Sequence, residues 1–133
     1  MKTVFADTFY FLALLNQRDP AHQKAVAASA PTDLSFVTTE FVLVELGDAL
    51  RKPPVREEFQ KVCALIKNTA TFRVIPASSE LYEQGSDLYR SRTDKDWQLT
   101  DCISFVVMRA EKLEDALTGD RHFEQAGFKA LLK

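Results

Sequence analysis

The sequence predicts a three-layer α/β/α sandwich around a central, mostly parallel sheet of four to five strands. Three observations lead there. Short runs rich in β-branched and aromatic residues alternate with segments of helical periodicity, and strands separated by helices pair in parallel. A chain of 133 residues with 4 glycines and 5 prolines has little material for linkers, so residues 1–133 are expected to form one domain. A domain of that length buries roughly two-thirds of the surface its unfolded chain exposes, enough for a core without staples.

The elements follow in order. KTVFA, 2–6, reads as a buried strand, and a helix is expected from 8 to about 16. NQRDP interrupts it, and Asp19-Pro20 suits the N-cap and first turn of a second helix ending near 30. LSFVTT, 34–39, is a second strand, bounded by the Pro31-Thr32-Asp33 turn. Residues 40–51 form a helix with Val42, Leu43, Leu46 and Leu50 on one face, and RKPP ends it. A helix over 55–68, a strand at 71–77 and a helix from 79 to about 90 come next, then the polar loop SRTDKDW. Thr100 is expected to cap a helix in which Ile103, Val106, Val107 and Ala110 recur at i, i+3, i+4 and i+7. EDALT supplies a fourth strand and FKALLK a fifth at the sheet edge.

Composition narrows the function classes. The longest apolar run, 9–15, is far short of the ~18 residues a membrane helix needs. That segment is expected in the core, with a share in a dimer interface, because so apolar a helix must be covered. The only cysteines, Cys63 and Cys102, lack paired-motif spacing and no secretory leader precedes them, which predicts a reducing cytoplasm. A net charge of −2 gives no general attraction to nucleic acid, so binding one would need a local basic patch, metal ions or both.

Four acids stand where an α/β sheet binds ligands, beyond the carboxyl ends of its strands. Asp7 ends the first strand, Asp120 follows the fourth, Asp101 follows Thr100 at a helix start, and Glu45 lies in the helix leaving the second strand. Each also has a local reading. Asp7 suits an N-cap, Asp101 complements a helix dipole, and Asp120 fits a turn after Gly119. Glu45 borders an apolar face, where an acid needs a partner. Carboxylates gathered at one edge stay ionised together only with a compensating cation. Oxygen-only ligands favour Mg²⁺ or Mn²⁺, ions that support hydrolysis of a phosphodiester by water.

VFADTFYFLALLN, FVLVELGDAL, DKDWQLTDCISF and ALTGDRHFEQAGF together resemble PIN-domain proteins, and more narrowly the VapC-type ribonuclease toxins of type II toxin–antitoxin systems. The resemblance spans residues 4–132 and rests on the order Asp, Glu, Asp, Asp with a polar residue just before the last acid. It maps Asp7, Glu45, Asp101 and Asp120 onto the family's metal-binding acids, Thr118 onto a supporting position, and Asp96 onto a fifth, less constant acid. It implies Mg²⁺- or Mn²⁺-dependent endonucleolytic cleavage of RNA, a homodimer and a cognate antitoxin. Thr8-Phe9 departs from the small Ser- or Asn-containing pair usual after the first acid.

Arg51, Lys52, Arg90, Arg92, Lys95 and Arg121 are the candidate phosphate contacts. Asp48 is expected on a solvated helix position, and His122 is expected to pack against the helix after its turn. Cys102 reads as small buried filler. The alternative function is a PIN-like module that binds RNA or protein without cutting. Retention of all four acids argues against it. A response-regulator-like domain is disfavoured because Asp7 has no adjacent acid, Ala6 preceding it.

Overall fold

The structure, a computed structural model, describes residues 1–133. Five strands, β1 (Lys2–Ala6), β2 (Leu34–Thr39), β3 (Phe72–Ile75), β4 (Asp115–Leu117) and β5 (Lys129–Ala130), form one sheet in the order β3-β2-β1-β4-β5. Every pairing is parallel, so all strand carboxyl ends share one edge. Seven helices connect them: α1 (Thr8–Leu15), α2 (His22–Ala28), α3 (Glu40–Ala49), α4 (Arg56–Lys67), α5 (Ser79–Ser91), α6 (Leu99–Ala110) and α7 (Arg121–Gln125).

The period of two along the strands assigns the faces. Val4, Phe36 and Phe72 are in register. Phe72 stacks on Phe36 at 5.0 Å and on Phe11 of α1 at 6.0 Å. Phe5, one residue along, points to the opposite face, toward Phe123 of α7, which meets Phe105 of α6 edge-on at 5.0 Å. Helices therefore cover both faces, as the alternating pattern predicts. The apolar residues of α1 lie largely inside, with Phe11 and Ala13 fully buried.

α5 lies against α6 at unusually close range. A Cβ on Gly85 would sit 2.3 Å from Ile103 Cγ1 and 3.2 Å from Ile103 Cα. Glycine is what lets the two helices approach, and Ile103 follows Asp101 by two positions.

Several boundaries shift from the sequence expectation. α6 starts two residues earlier, with Gln98 rather than Thr100 at the cap, because Gln98 is extended (ψ 156°) and its N–H donates to Asp101 Oδ2 at 3.4 Å. Asp19 closes a turn instead of capping α2, its Oδ1 accepting from the N–H of Ala21 at 2.8 Å. The prolines after α3 form a 3₁₀ turn, Pro53–Val55, ahead of α4. β3, β4 and β5 are shorter than their apolar runs. No helix is long and apolar enough to cross a membrane, and Cys63 and Cys102 are free thiols.

Candidate metal centre

β1 lies at the centre of the sheet. The chain leaves it for β2 on one side and returns to β4 on the other. The crevice between β1 and β4 is thus the point where connections diverge, the preferred ligand site of an open parallel sheet. Asp7 follows β1 and Thr118 follows β4, and both are buried. Asp7 occupies the N-cap position of α1 but makes no side-chain capping bond. Instead, Thr118 Oγ1 donates to Asp7 Oδ2 at 2.9 Å across the crevice. The same hydroxyl accepts from the Asp120 N–H at 3.1 Å, tying the Thr-Gly-Asp turn to the first acid. Gly119 fits because a Cβ there would lie 2.5 Å from the tip of the Phe9 ring.

The other acids enter from helix starts. Asp101, 6% exposed, lies in the first turn of α6. Asp120 does cap its helix, accepting from the His122 N–H at 2.9 Å, and it also faces the cluster. Glu45 in α3 accepts from the hydroxyl of Thr8, so the residue after the first acid reaches the second. The unusual Thr8 therefore has a partner within the cluster.

His122 differs from its sequence expectation. Its Nδ1 lies 3.1 Å from Asp120 Oδ1 and 3.4 Å from Asp101 Oδ2, and its Nε2 lies 3.1 Å from Asp96 Oδ1. Asp101, Asp120 and His122 offer ligand atoms all within 4.8 Å of one another. A signal was available in the sequence: a residue two places after an N-cap acid stands in the same first turn. Asp96 is 75% exposed at its side chain and reaches the group through His122.

The electrostatics follow from burial. Asp7 is pushed up from 3.8 to about 7, first by burial, then by the charges of Asp101 and Glu45, against the Thr118 hydroxyl that favours ionisation. Asp101 is raised from 3.8 to about 6 by burial and by the charges of Asp120 and Glu45, against the Gln98 N–H and His122. Asp7 and Asp101 thus each sense two other acids, and no lysine or arginine offsets their charge. Buried carboxylates in this state are short of positive charge, and a set of carboxylate oxygens fits a hard divalent cation.

The basic candidates separate into two places. Arg90, Arg92 and Lys95 line a cleft of about 920 Å³ together with Tyr89, Asp96 and Trp97. Arg92 forks onto Asp94 at 2.9 and 3.0 Å and lies 4.9 Å over Trp97. Arg121 stands 3.9 Å from Asp96. Arg51 is occupied at the end of α3, donating to the carbonyl of Asp48 at 3.1 Å, and Lys52 follows it on the surface. Asp48 is exposed, as expected.

Residues 4–129 match the PIN domain family. The 23S rRNA-specific endonuclease VapC20 of Mycobacterium tuberculosis is 27% identical over 125 residues, which are 94% of this chain and 95% of that protein. The crystal structure of M. tuberculosis VapC20, a sarcin-ricin loop cleaving toxin, aligns with a TM-score of 0.82 over 94% of this chain and 95% of that one. VapBC2 from Rickettsia felis, bound to a DNA fragment from its promoter, aligns with a TM-score of 0.68 at 14% identity over 96% of both chains, a likeness of fold.

Proposed function

This chain belongs to the PIN-domain family, and from that premise we propose that it is an Mg²⁺- or Mn²⁺-dependent endoribonuclease whose site is formed by Asp7, Glu45, Asp101 and Asp120. The observation that carries the reading is the meeting of these acids, from four separate elements, at the crevice between β1 and β4 with no lysine or arginine to neutralise Asp7 or Asp101. A divalent ion bound there would supply Lewis acidity to a phosphodiester and lower the pKa of a water. Asp7, Asp101 and Asp120 would hold it, and Thr118 keeps Asp7 aimed through Oδ2. Glu45, oriented by Thr8, would hold the attacking water and accept its proton. Arg92 and Lys95, beside Asp96 in the adjoining cleft, would receive backbone phosphates, with Arg121 a further contact.

RNA is the substrate in this reading, and ribosomal RNA is the first to try, because the VapC20 relative is 23S rRNA-specific. Pairing with an antitoxin and self-association are part of the same proposal. They are supported by apolar side chains exposed on α3 and α5, notably Val44 at 63% and Tyr82 at 48%. A cytoplasmic site of action fits two free cysteines. The test is incubation of the purified chain with ribosomal RNA in Mg²⁺, Mn²⁺ or EDTA. Discrete fragments that need the cation support the proposal. Intact RNA in all three, from folded protein, contradicts it.

A further inference from the structure

One donor in the cluster is not a carboxylate. His122 Nδ1 is buried and makes no hydrogen bond, although it stands 3.1 Å from Asp120 Oδ1 and 3.4 Å from Asp101 Oδ2. On the far side of the ring, Nε2 meets Asp96 Oδ1 at 3.1 Å. Both ring nitrogens face carboxylates, which only accept, but Nε2 alone is in hydrogen-bonding geometry. With the proton there, donated to Asp96, the neutral ring turns a lone pair toward the cluster. A lone pair facing two carboxylate oxygens is repulsive unless a cation lies among the three atoms. Donors on neighbouring octahedral positions, each about 2.1 Å from a shared ion, are about 3.0 Å apart, close to the separations at Nδ1.

We propose that His122 Nδ1 is a nitrogen ligand of the divalent cation, beside Asp101 and Asp120, and that Asp96 is a positioning residue that holds the ring through Nε2. This rests on the metal reading above and extends it. A carboxylate behind a ligating imidazole sets its tautomer and orientation and raises its basicity. One nitrogen among oxygens also shifts preference from Mg²⁺ toward first-row divalent ions such as Mn²⁺. The assignment explains why Asp96, though exposed, belongs to the site: it acts through the histidine. The chain's other histidine, His22, is engaged elsewhere, its Nδ1 lying 2.8 Å from the carbonyl of Ala13.

Pulsed electron paramagnetic resonance of Mn²⁺ added to the full chain, without RNA, reads the contact directly. The wild type is expected to show ¹⁴N modulation from a bound imidazole, converting to the ¹⁵N pattern when only histidine is ¹⁵N-labelled, a readout that needs no mutation. His22→Gln should leave it unchanged. His122→Gln should abolish it and weaken Mn²⁺ binding about tenfold or more, with a smaller loss for Mg²⁺. Asp96→Asn should keep the modulation while weakening Mn²⁺ binding about 10–100-fold. Stoichiometric Mn²⁺ without histidine nitrogen coupling would overturn the ligand assignment and leave the acid site standing. Absence of Mn²⁺ binding by folded protein would overturn both.

Discussion

Thr118 Oγ1 and Asp7 Oδ2, 111 positions apart in the chain, are joined by a 2.9 Å hydrogen bond that spans the crevice between β1 and β4. The hydroxyl is fully buried, and it also receives the Asp120 N–H. A single side chain therefore sets the spacing between the first and last acids of the cluster.

Thr118→Val keeps the shape but leaves a buried carboxylate oxygen and a backbone N–H without their partner. The expected cost is about 1–3 kcal/mol, seen in urea unfolding, with a loss of cleavage beyond what the fraction folded explains. Thr118→Ser, which keeps the hydroxyl, should stay near wild type.

Metal-free protein should be least comfortable where it works. Asp7 is raised from 3.8 to about 7 in the folded chain, so between those values the folded state binds more protons than the unfolded one. The stability Asp7 permits is present below about pH 4 and is lost as pH rises toward 7. In EDTA, Asp7→Asn should flatten that decline and stabilise the chain at pH 7.5 by about 2–4 kcal/mol, while abolishing cleavage. Added Mn²⁺ should stabilise the wild type and not the variant. An Asp7→Asn chain less stable than wild type in EDTA would contradict the crowding of charge.

Gly85→Ala places a methyl against Ile103 Cγ1 and Cα. Overpacking of this kind costs about 1–3 kcal/mol. Because Ile103 shares α6 with Asp101, cleavage should fall too, although no acid has been altered. Thermal unfolding and a cleavage assay on the same sample check this.

Lys95 is loosely held, 3.9 Å from Asp94 Oδ2. Lys95→Ala should leave stability within about 0.5 kcal/mol. If the side chain meets a phosphate, the slope of log K against log salt for single-stranded RNA falls by about 0.7. Arg51→Ala, at the end of α3, should change that slope less.

The chain declares much of this in its sequence, for physical reasons. Strand ends followed at once by acids, at Ala6-Asp7 and Thr118-Gly119-Asp120, are legible because parallel strands send their carboxyl ends to one edge. Glu45 is legible because an acid beside an apolar face needs a partner, which proves to be Thr8. The start of α6 is not, since Thr100 is as good a cap on paper as Gln98, and only the contact between Gln98 and Asp101 decides. The link from His122 to Asp96 escapes because it depends on how the 92–98 loop lies against α7. The pairing of Arg92 with Asp94 is likewise a matter of loop geometry.

The most direct test is RNA cleavage by the wild type and by Asp101→Asn, at matched folded concentration, with Mg²⁺, Mn²⁺ or EDTA. Asp101 lies between Asp120 and Glu45 electrostatically and has no role in covering the core. The wild type alone should give discrete products, abolished by EDTA. An Asp101→Asn chain that cuts at the wild-type rate would contradict the proposed site.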